Sequence, residues 1–373
     1  MALSLKNRKS CIKNIKIDMD KYNIDSHKLI YHVSRVNDWL NGEPIYPIYM
    51  EISPTGACNH RCSFCGLDFM KYSSRKIDIS VLKKRLPEFG RLGLKSIMYA
   101  GEGEPFLHKD IAEMIMLSKE SGIDAAVTSN GVLFKKKLAE NILSYCSWIK
   151  FSINSGTPDT YAKIHGTKSE DFKTVIDNLC YAAEYREKHG IKCTLGVQIL
   201  LLPEVESEIE LLTKIVRDIG MDYLVVKPYS QHPQSITKKY KDIVYSKYDY
   251  LYGKLKEYDS DTFSVIVRLN TMRSWDKCYK NYEKCFGLPF WSYIDAGGNV
   301  WGCSVYLNDN RFFYGNIIDN SFQEIWESDR RKKSMNFVEN ELSVSKCRIN
   351  CRMDNINKYL WELHHPNDHV NFI

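Results

Sequence analysis

Cys58, Cys62 and Cys65 are separated by three and then two residues in Cys58-Asn59-His60-Arg61-Cys62-Ser63-Phe64-Cys65. Three thiolates on a four-iron cube leave one iron without a protein ligand. An open iron can take a chelating substrate, as catalytic metal sites keep free a position that structural sites close. The same residues with His60 would also suit a zinc knuckle, although zinc sites usually use two separated Cys-x-x-Cys hooks and no second hook lies nearby. Far downstream, Cys285, Cys303, Cys347 and Cys351 supply four thiols, enough to close a cluster or a zinc ion completely. Twelve cysteines are many for a chain in a reducing compartment, where disulfides are rare, and metal binding accounts for their clustering. The scattered five, Cys11, Cys146, Cys180, Cys193 and Cys278, read mostly as buried small hydrophobes.

The elements that must position these groups are legible as short apolar runs alternating with amphipathic stretches. Ile48–Ile52, Ser96–Ala100, Ala125–Ser129, Ile149–Ile153, Thr194–Leu200 and Tyr223–Lys227 suit parallel strands buried on both faces. Between them Leu82/Leu86/Phe89, Ile111/Met114/Ile115 and Ile209/Leu212/Val216 recur at helical spacing, with Ser80 the expected N-cap of the first helix. Six units are fewer than a closed barrel needs. The expected fold is therefore α/β, a partial (β/α)6 TIM-type barrel whose chemistry sits in the loops after its strands. The triad directly follows the first strand.

After Tyr229 the chain turns polar and Tyr-rich, and Asp295-Ala296-Gly297-Gly298-Asn299 then supplies a turn between two aromatic strands. Helices are expected over 322–337 and 355–363. The expected division is an N-terminal extension (1–47), a barrel core (48–235), a helical linker (236–275) and a C-terminal hairpin-plus-helix module (276–373). There is no internal repeat or low-complexity segment.

Composition narrows the functional class. The 373 residues are 44% hydrophobic and 26% charged, and no apolar run is long enough to cross a bilayer. Met1–Lys9 has no signal-peptide apolar stretch, so a cytoplasmic location without membrane attachment is expected. A net charge of +6 without a long basic tract argues against nucleic acid as partner, although the Lys- and Tyr-rich stretch 227–284 would attract a phosphorylated substrate.

The triad, with Phe64 in its aromatic place, resembles the Cys-x-x-x-Cys-x-aromatic-Cys loop of the radical S-adenosylmethionine (SAM) superfamily. The resemblance covers the barrel and the tail. It implies a 4Fe-4S cluster whose open iron chelates SAM, reductive cleavage of SAM to a 5′-deoxyadenosyl radical, and an electron donor such as flavodoxin or ferredoxin. Gly101-Glu102-Gly103-Glu104-Pro105 resembles the family's Gly-Gly-Glu-Pro segment, with Glu102 where a glycine usually stands; Gly103 and Glu104 would receive the methionine ammonium. Glycine permits close backbone approach and a carboxylate suits an ammonium. Ser129 and Asn130 after the third strand, and Ser152 and Asn154 at the fourth, resemble the polar strand ends that bind the SAM ribose and carboxylate, with Asn154 replacing a commoner Asp. Residues 196–204 resemble the adenine-side segment only loosely and are assigned no role. Lys227, Tyr229 and His232, ending the sixth strand, are the expected substrate contacts.

The spacing of Cys285, Gly298 and Cys303, followed by Cys347 and Cys351, resembles the SPASM and twitch auxiliary-cluster modules, and Gly315–Ile317 with Phe322–Trp326 resembles their strand-and-helix segment. A full SPASM module has seven cysteines, so one auxiliary 4Fe-4S cluster is expected here, on Cys285, Cys303, Cys347 and Cys351. Closed by four ligands, it would transfer electrons. Dehydrogenation needs such an acceptor, whereas epimerisation needs a hydrogen-atom donor, for which Cys278 and Tyr229 are the candidates. Only 57 residues precede Cys58, too few for the leader-binding domain of many peptide-modifying relatives. The leading expectation is thus an oxidoreductase or epimerase acting on a small molecule, a sugar, aminocyclitol or nucleotide sugar. The alternatives are a maturase of a ribosomally made peptide and a non-catalytic iron-sulfur or zinc protein.

Overall fold

Runs such as Ile97-Met98-Tyr99 and Ala125-Ala126-Val127 are buried throughout, as strands of a helix-covered parallel sheet must be. The computed structural model describes residues 20–372; Cys11 and the rest of the first nineteen residues lie outside that range. Ten strands form one sheet: β1 (Tyr49–Ile52), β2 (Ser96–Tyr99), β3 (Asp124–Ser129), β4 (Cys146–Ser152), β5 (Thr194–Leu201), β6 (Tyr223–Pro228), β7 (Ser264–Val267), β8 (Trp291–Ile294), β9 (Asn299–Trp301) and β10 (Phe313–Asn316). Their order is β10-β9-β8-β1-β2-β3-β4-β5-β6-β7.

The six expected strands are all present, but the sheet extends beyond them at both edges. Within the expected helical linker, β7 pairs parallel with β6 from Tyr223–Ser264 to Val226–Val267, giving the backbone groups of that edge a partner. At the other edge β8 pairs parallel with β1, Tyr49 opposite Trp291 and Ile52 opposite Ile294. The C-terminal hairpin therefore continues the barrel sheet and does not form a sheet of its own. Gly298 takes φ +80° in its turn, where Asp295 accepts bonds from the Gly297 and Asn299 amides at 2.8 and 3.1 Å.

Helices α1 (Val33–Leu40), α2 (Ile79–Arg91), α3 (Ile111–Glu120), α4 (Lys136–Ile142), α5 (Pro158–His165), α6 (Glu170–Lys188), α7 (Ile209–Ile219), α8 (Tyr250–Lys256) and α9 (Leu269–Lys277) precede the hairpin. The N-cap of α2 is Asp78 and not Ser80: its carboxylate accepts the Ser80 amide at 2.8 Å. The expected helix over 322–337 is split into α10 (Phe322–Glu327) and α11 (Asp329–Asn340), because Ser328 is extended (ψ 152°) and caps α11. The last helix is α12 (Asp354–His364). None of the helices of the described residues is long and apolar enough to cross a membrane.

The two faces of the strands differ. Ile97, Val127, Ile149, Val197 and Leu224 face the helices and are fully buried. On the inner face Thr128, Lys150, Ser152 and Lys227 stay partly exposed, so the barrel mouth is hollow. Deeper inside, Tyr223, Val225 and Ile266 pack with Tyr22 and Ile24, which stopper the lower end.

Candidate active site

The cysteine loop after β1 is held by backbone contacts from several directions. The Arg61 and Ser63 amides donate to His165 and Ile164 carbonyls at the end of α5, at 3.0 and 2.8 Å. Thr237 and Ser235 hydroxyls donate to the Ser63 and Cys65 carbonyls, both at 3.2 Å. Cys58, Cys62 and Cys65 are each partly buried. Burial, with the neighbouring Cys65 and Cys58, holds the Cys62 thiol well above its ordinary range. Burial likewise pushes Cys58 up to about 11. Three thiols that resist ionisation this way become ligands once a cationic metal group offsets both burial and mutual repulsion.

Among the described residues no three of the seven set cysteines place their sulfurs within 4.8 Å of one another. A tetrahedral zinc with Zn–S bonds of about 2.3 Å draws its sulfurs to about 3.8 Å apart. No trio of these sulfurs among the described residues is drawn that close. His60, Cys62 and His165 do bring ligand atoms within 4.8 Å. That grouping omits Cys58 and Cys65, however, and His165 is otherwise engaged, while both ring nitrogens of His60 are buried without a hydrogen-bond partner among the described residues. His165 Nε2 donates to the Ile153 carbonyl at 2.7 Å, leaving Nδ1 toward Cys62 Sγ at 3.4 Å, and His60 Nε2 stands 3.6 Å from Asp171. Phe64 packs edge-on against His165, with ring centroids 5.2 Å apart.

The β2 and β3 loops lock against the cysteine loop. Gly103 has φ +73°, and a Cβ there would meet the Thr55 and Ala57 carbonyl oxygens at 2.1 and 2.6 Å. Glu104 is buried and accepts from Ser129 Oγ at 2.7 Å, the Asn130 amide at 2.8 Å and the Phe106 amide at 3.1 Å. A carboxylate offers about four acceptor positions, so one remains for a ligand ammonium. Asn130 Nδ2 in turn donates to Asn59 Oδ1 at 2.8 Å.

At the next strand ends Ser152 Oγ accepts from Gln198 Nε2 at 2.6 Å, and Asn154, with φ +56°, accepts the Leu200 amide at 2.8 Å. Asn154 Nδ2 and Gln198 Oε1 are buried without a partner among the described residues. Orphaned polar atoms beside the cysteine loop and β4 are what a polar ligand such as SAM would satisfy.

Glu102, where the sequence pattern leads one to expect glycine, has a structural function. Its Oε1 accepts the Ala296 amide of the C-terminal hairpin at 2.8 Å, and Oε2 lies 3.4 Å from Arg75. Glu102→Gly would leave the buried Ala296 amide without an acceptor, so holoenzyme stability should fall by about 1–3 kcal/mol in chemical denaturation.

The second set also converges. Burial and the nearby Cys351 and Cys347 push Cys285 up to about 12, and burial with Cys351 and Cys285 holds Cys303 well above its ordinary range. Asn357 Nδ2, the Val305 amide and the Tyr306 hydroxyl stand 3.6, 3.4 and 3.3 Å from Cys285, Cys303 and Cys347 sulfurs. Such donors favour thiolates.

The substrate candidates separate. Lys227 lies on the inner face of β6 beside the barrel mouth. Tyr229 is buried among Tyr240, Tyr245 and Trp275, with its hydroxyl 3.5 Å from Gln231. His232 is corrected to a strut: Nδ1 accepts the Gln234 amide at 3.1 Å, Nε2 donates to the Ser304 carbonyl at 3.0 Å, and the ring stacks on Phe69, so no nitrogen is left for a substrate. Cys278 is exposed at the end of α9, with its thiol 3.1 Å from the Trp275 carbonyl, and is not the buried hydrophobe expected. Cys146 and Cys193 are buried as expected.

A family model of the radical SAM superfamily matches residues 52–216, and one of the SPASM iron-sulfur cluster-binding domain matches residues 285–352. The chain belongs to the radical SAM superfamily. A radical SAM domain followed by a SPASM domain implies SAM, its 4Fe-4S cluster and an auxiliary cluster, and the two cysteine sets fit those groups. This radical SAM chain is 25% identical over 189 residues to GTP 3′,8-cyclase of Chlorobaculum tepidum, covering 49% of the chain and 55% of the cyclase. The match thus spans little more than half of that relative. It is 23% identical over 314 residues to the tungsten-containing aldehyde ferredoxin oxidoreductase cofactor-modifying protein of Pyrococcus furiosus, covering 76% and 81%. Its fold is shared with Streptococcus suis SuiB bound to S-adenosylmethionine (TM-score 0.61, 18% identity, 80% of this chain and 70% of that one). It is also shared with native anSMEcpe with bound AdoMet (0.57, 16%, 83% and 91%).

Proposed function

We propose that this radical SAM enzyme modifies a peptide by hydrogen abstraction followed by oxidation. The observation that carries this reading is the common arrangement of barrel and cluster module with SuiB, over 80% of the chain in a structure of SuiB bound to precursor peptide SuiA. When bound, the clusters supply the electron that cleaves SAM to a 5′-deoxyadenosyl radical and an acceptor for the electron released by the substrate radical. The protein's own residues position the reactants. Cys58, Cys62 and Cys65 hold the first group; Glu104 offers its remaining acceptor position to the SAM ammonium; Ser152, Asn154 and Ser129 line the SAM site. Cys285, Cys303, Cys347 and Cys351 hold the second group. Tyr229 and Cys278 remain the candidate hydrogen donors if the radical is quenched instead of oxidised.

A second reading, a sugar, aminocyclitol or nucleotide sugar as substrate, is favoured by the polar inner face around Lys150, Ser152 and Lys227. The two are separated by incubating reconstituted holoenzyme with SAM, dithionite and either a precursor peptide encoded beside its gene or a panel of nucleotide sugars. Peptide product lacking two hydrogens, formed together with 5′-deoxyadenosine, is expected. Turnover of a nucleotide sugar with an unchanged peptide would overturn the peptide reading.

A further inference from the structure

The inner face of the barrel collects more positive charge than it neutralises. Lys150 on β4 and Lys227 on β6 point into the hollow, where the Lys150 ammonium stands 5.3 Å from the centre of the Trp148 ring. The segment around Cys347 and Cys351 brings two arginines, Arg348 and Arg352, within electrostatic reach of Lys227. Arg348 Nε donates to Ser230 Oγ at 2.5 Å and another of its guanidinium nitrogens to the Ser230 carbonyl at 2.7 Å. Arg352 donates to the Tyr49 hydroxyl at 2.6 Å and pairs with Glu51. Arg268, past the end of β7, pairs with Asp25 at 3.2 Å.

Two of these cations are thus compensated within the protein, Arg352 by Glu51 and Arg268 by Asp25. Lys150, Lys227 and Arg348 have no carboxylate within ion-pair distance among the described residues. The largest charges acting on Lys227 are all positive, from Lys150, Arg268, Arg348 and Arg352. Burial, with Arg268 and Arg352 adding repulsion that outweighs the pull of Glu51, pushes Lys150 down to about 8. Arg348 lies beside the Cys351 and Cys303 sulfurs, so Lys150 and Lys227 are the two left without a compensating group, and keeping them at the wall of a half-buried hollow costs stability unless something negative enters it. The hollow is open at the strand ends where Ser152 and Gln198 stand, so an anion arriving there would lie directly beneath the SAM-binding loops.

We infer that the barrel interior is an oxyanion pocket in which Lys150, Lys227 and Arg348 seat an acidic group of the substrate, a carboxylate or a phosphate. The pocket fixes which part of the substrate lies nearest the radical. Because Arg348 and Arg352 belong to the loop that carries Cys347 and Cys351, the anchored group also sits against the auxiliary cluster's own ligand loop. The inference rests on the reading that SAM is cleaved above this barrel, but it concerns binding and can be tested without turnover.

The test uses SAM-loaded holoenzyme without reductant and three probes. These are N-acetylglutamyl amide, its neutral analogue N-acetylglutaminyl amide, and inorganic phosphate. Saturation-transfer NMR follows the amides and 31P line broadening follows phosphate. An anionic probe should bind, the neutral amide should not, and affinity should fall at least about tenfold in Lys150→Met and Lys227→Met, since removing one partner of a buried charge pair costs several kcal/mol. Lys150→Arg and Lys227→Arg should retain binding, and iron content with circular dichroism reports whether each variant is folded. Binding of the glutamyl probe alone supports an acidic side chain as the source, and binding of phosphate alone supports a phosphorylated substrate. Binding of neither anion, or equal binding in the Met variants, would overturn the inference. Failure of the peptide assay with intact anion binding would instead count only against the peptide reading.

Discussion

Replacing Cys58, Cys62 and Cys65 together by alanine is expected to abolish 5′-deoxyadenosine formation and leave a folded protein that still holds its auxiliary cluster. The loop that carries the three thiols does not depend on them for its shape. It is fixed by backbone bonds to the end of α5, by Thr237 and Ser235, and by Asp68, whose carboxylate accepts the Ile236 and Thr237 amides at 2.8 and 2.9 Å. The second cysteine set lies in another core cluster, with Leu288, Trp301 and Phe312 around Cys303 and Cys285. Iron should therefore fall from about eight to about four atoms per chain, and the remaining iron should keep its spectroscopic signature. Chromatographic assay of 5′-deoxyadenosine with dithionite and SAM should give the cluster-free background. Loss of all iron would mean that the two sites fold as one unit, and retained SAM cleavage would remove the triad from the chemistry.

The triad and the strand before it were legible because their information is local: spacing, a buried apolar run, and a loop at its end. The six central strands were legible for the same reason. β7 was not, because Ser264–Val267 follows a polar, Tyr-rich stretch that reads as linker. The pairing of β8 with β1 was hidden too, since it joins Tyr49 to Trp291 across most of the chain. Side-chain roles failed in the same pattern. His232 looks like a substrate contact until Phe69 and Ser304, distant in sequence, occupy its ring and its nitrogens. Glu102 looks like a departure from a glycine pattern until Ala296 arrives to meet it. The basic interior needed both the strand parity that turns Lys150 and Lys227 inward and the tail loop that brings Arg348 and Arg352 to them. Ser80 against Asp78 is a smaller case, in which two cap-forming residues compete and backbone conformation decides.

Gly103→Ala is expected to damage the site as severely as loss of a ligand, although it removes no functional group. The residue sits at φ +73°, where a Cβ is strained, and that atom would lie 2.1 and 2.6 Å from two backbone oxygens. Flexible side chains could yield at such distances, but these carbonyls belong to Thr55 and Ala57, and the Ala57 carbonyl already accepts the Glu104 amide at 2.8 Å. Relief must therefore come from moving residues 55–57, which lead straight into Cys58, or from withdrawing Glu104 from Ser129 and Asn130. Overpacking of this kind costs about 1–3 kcal/mol, within what a folded domain tolerates. The larger consequence is geometric, because a displacement of about 1 Å in a positioning loop can cost about 100-fold in rate. Thermal unfolding should shift modestly, while SAM-dependent 5′-deoxyadenosine formation falls by about two orders of magnitude. Gly253→Ala, in α8 with nothing within 4 Å of the added Cβ, supplies the contrast and should leave both readouts unchanged. Equal activity in the two variants would show that the β2 loop does not set the position of Cys58, and Glu104 would then have to reach the SAM ammonium by some route other than this locked turn.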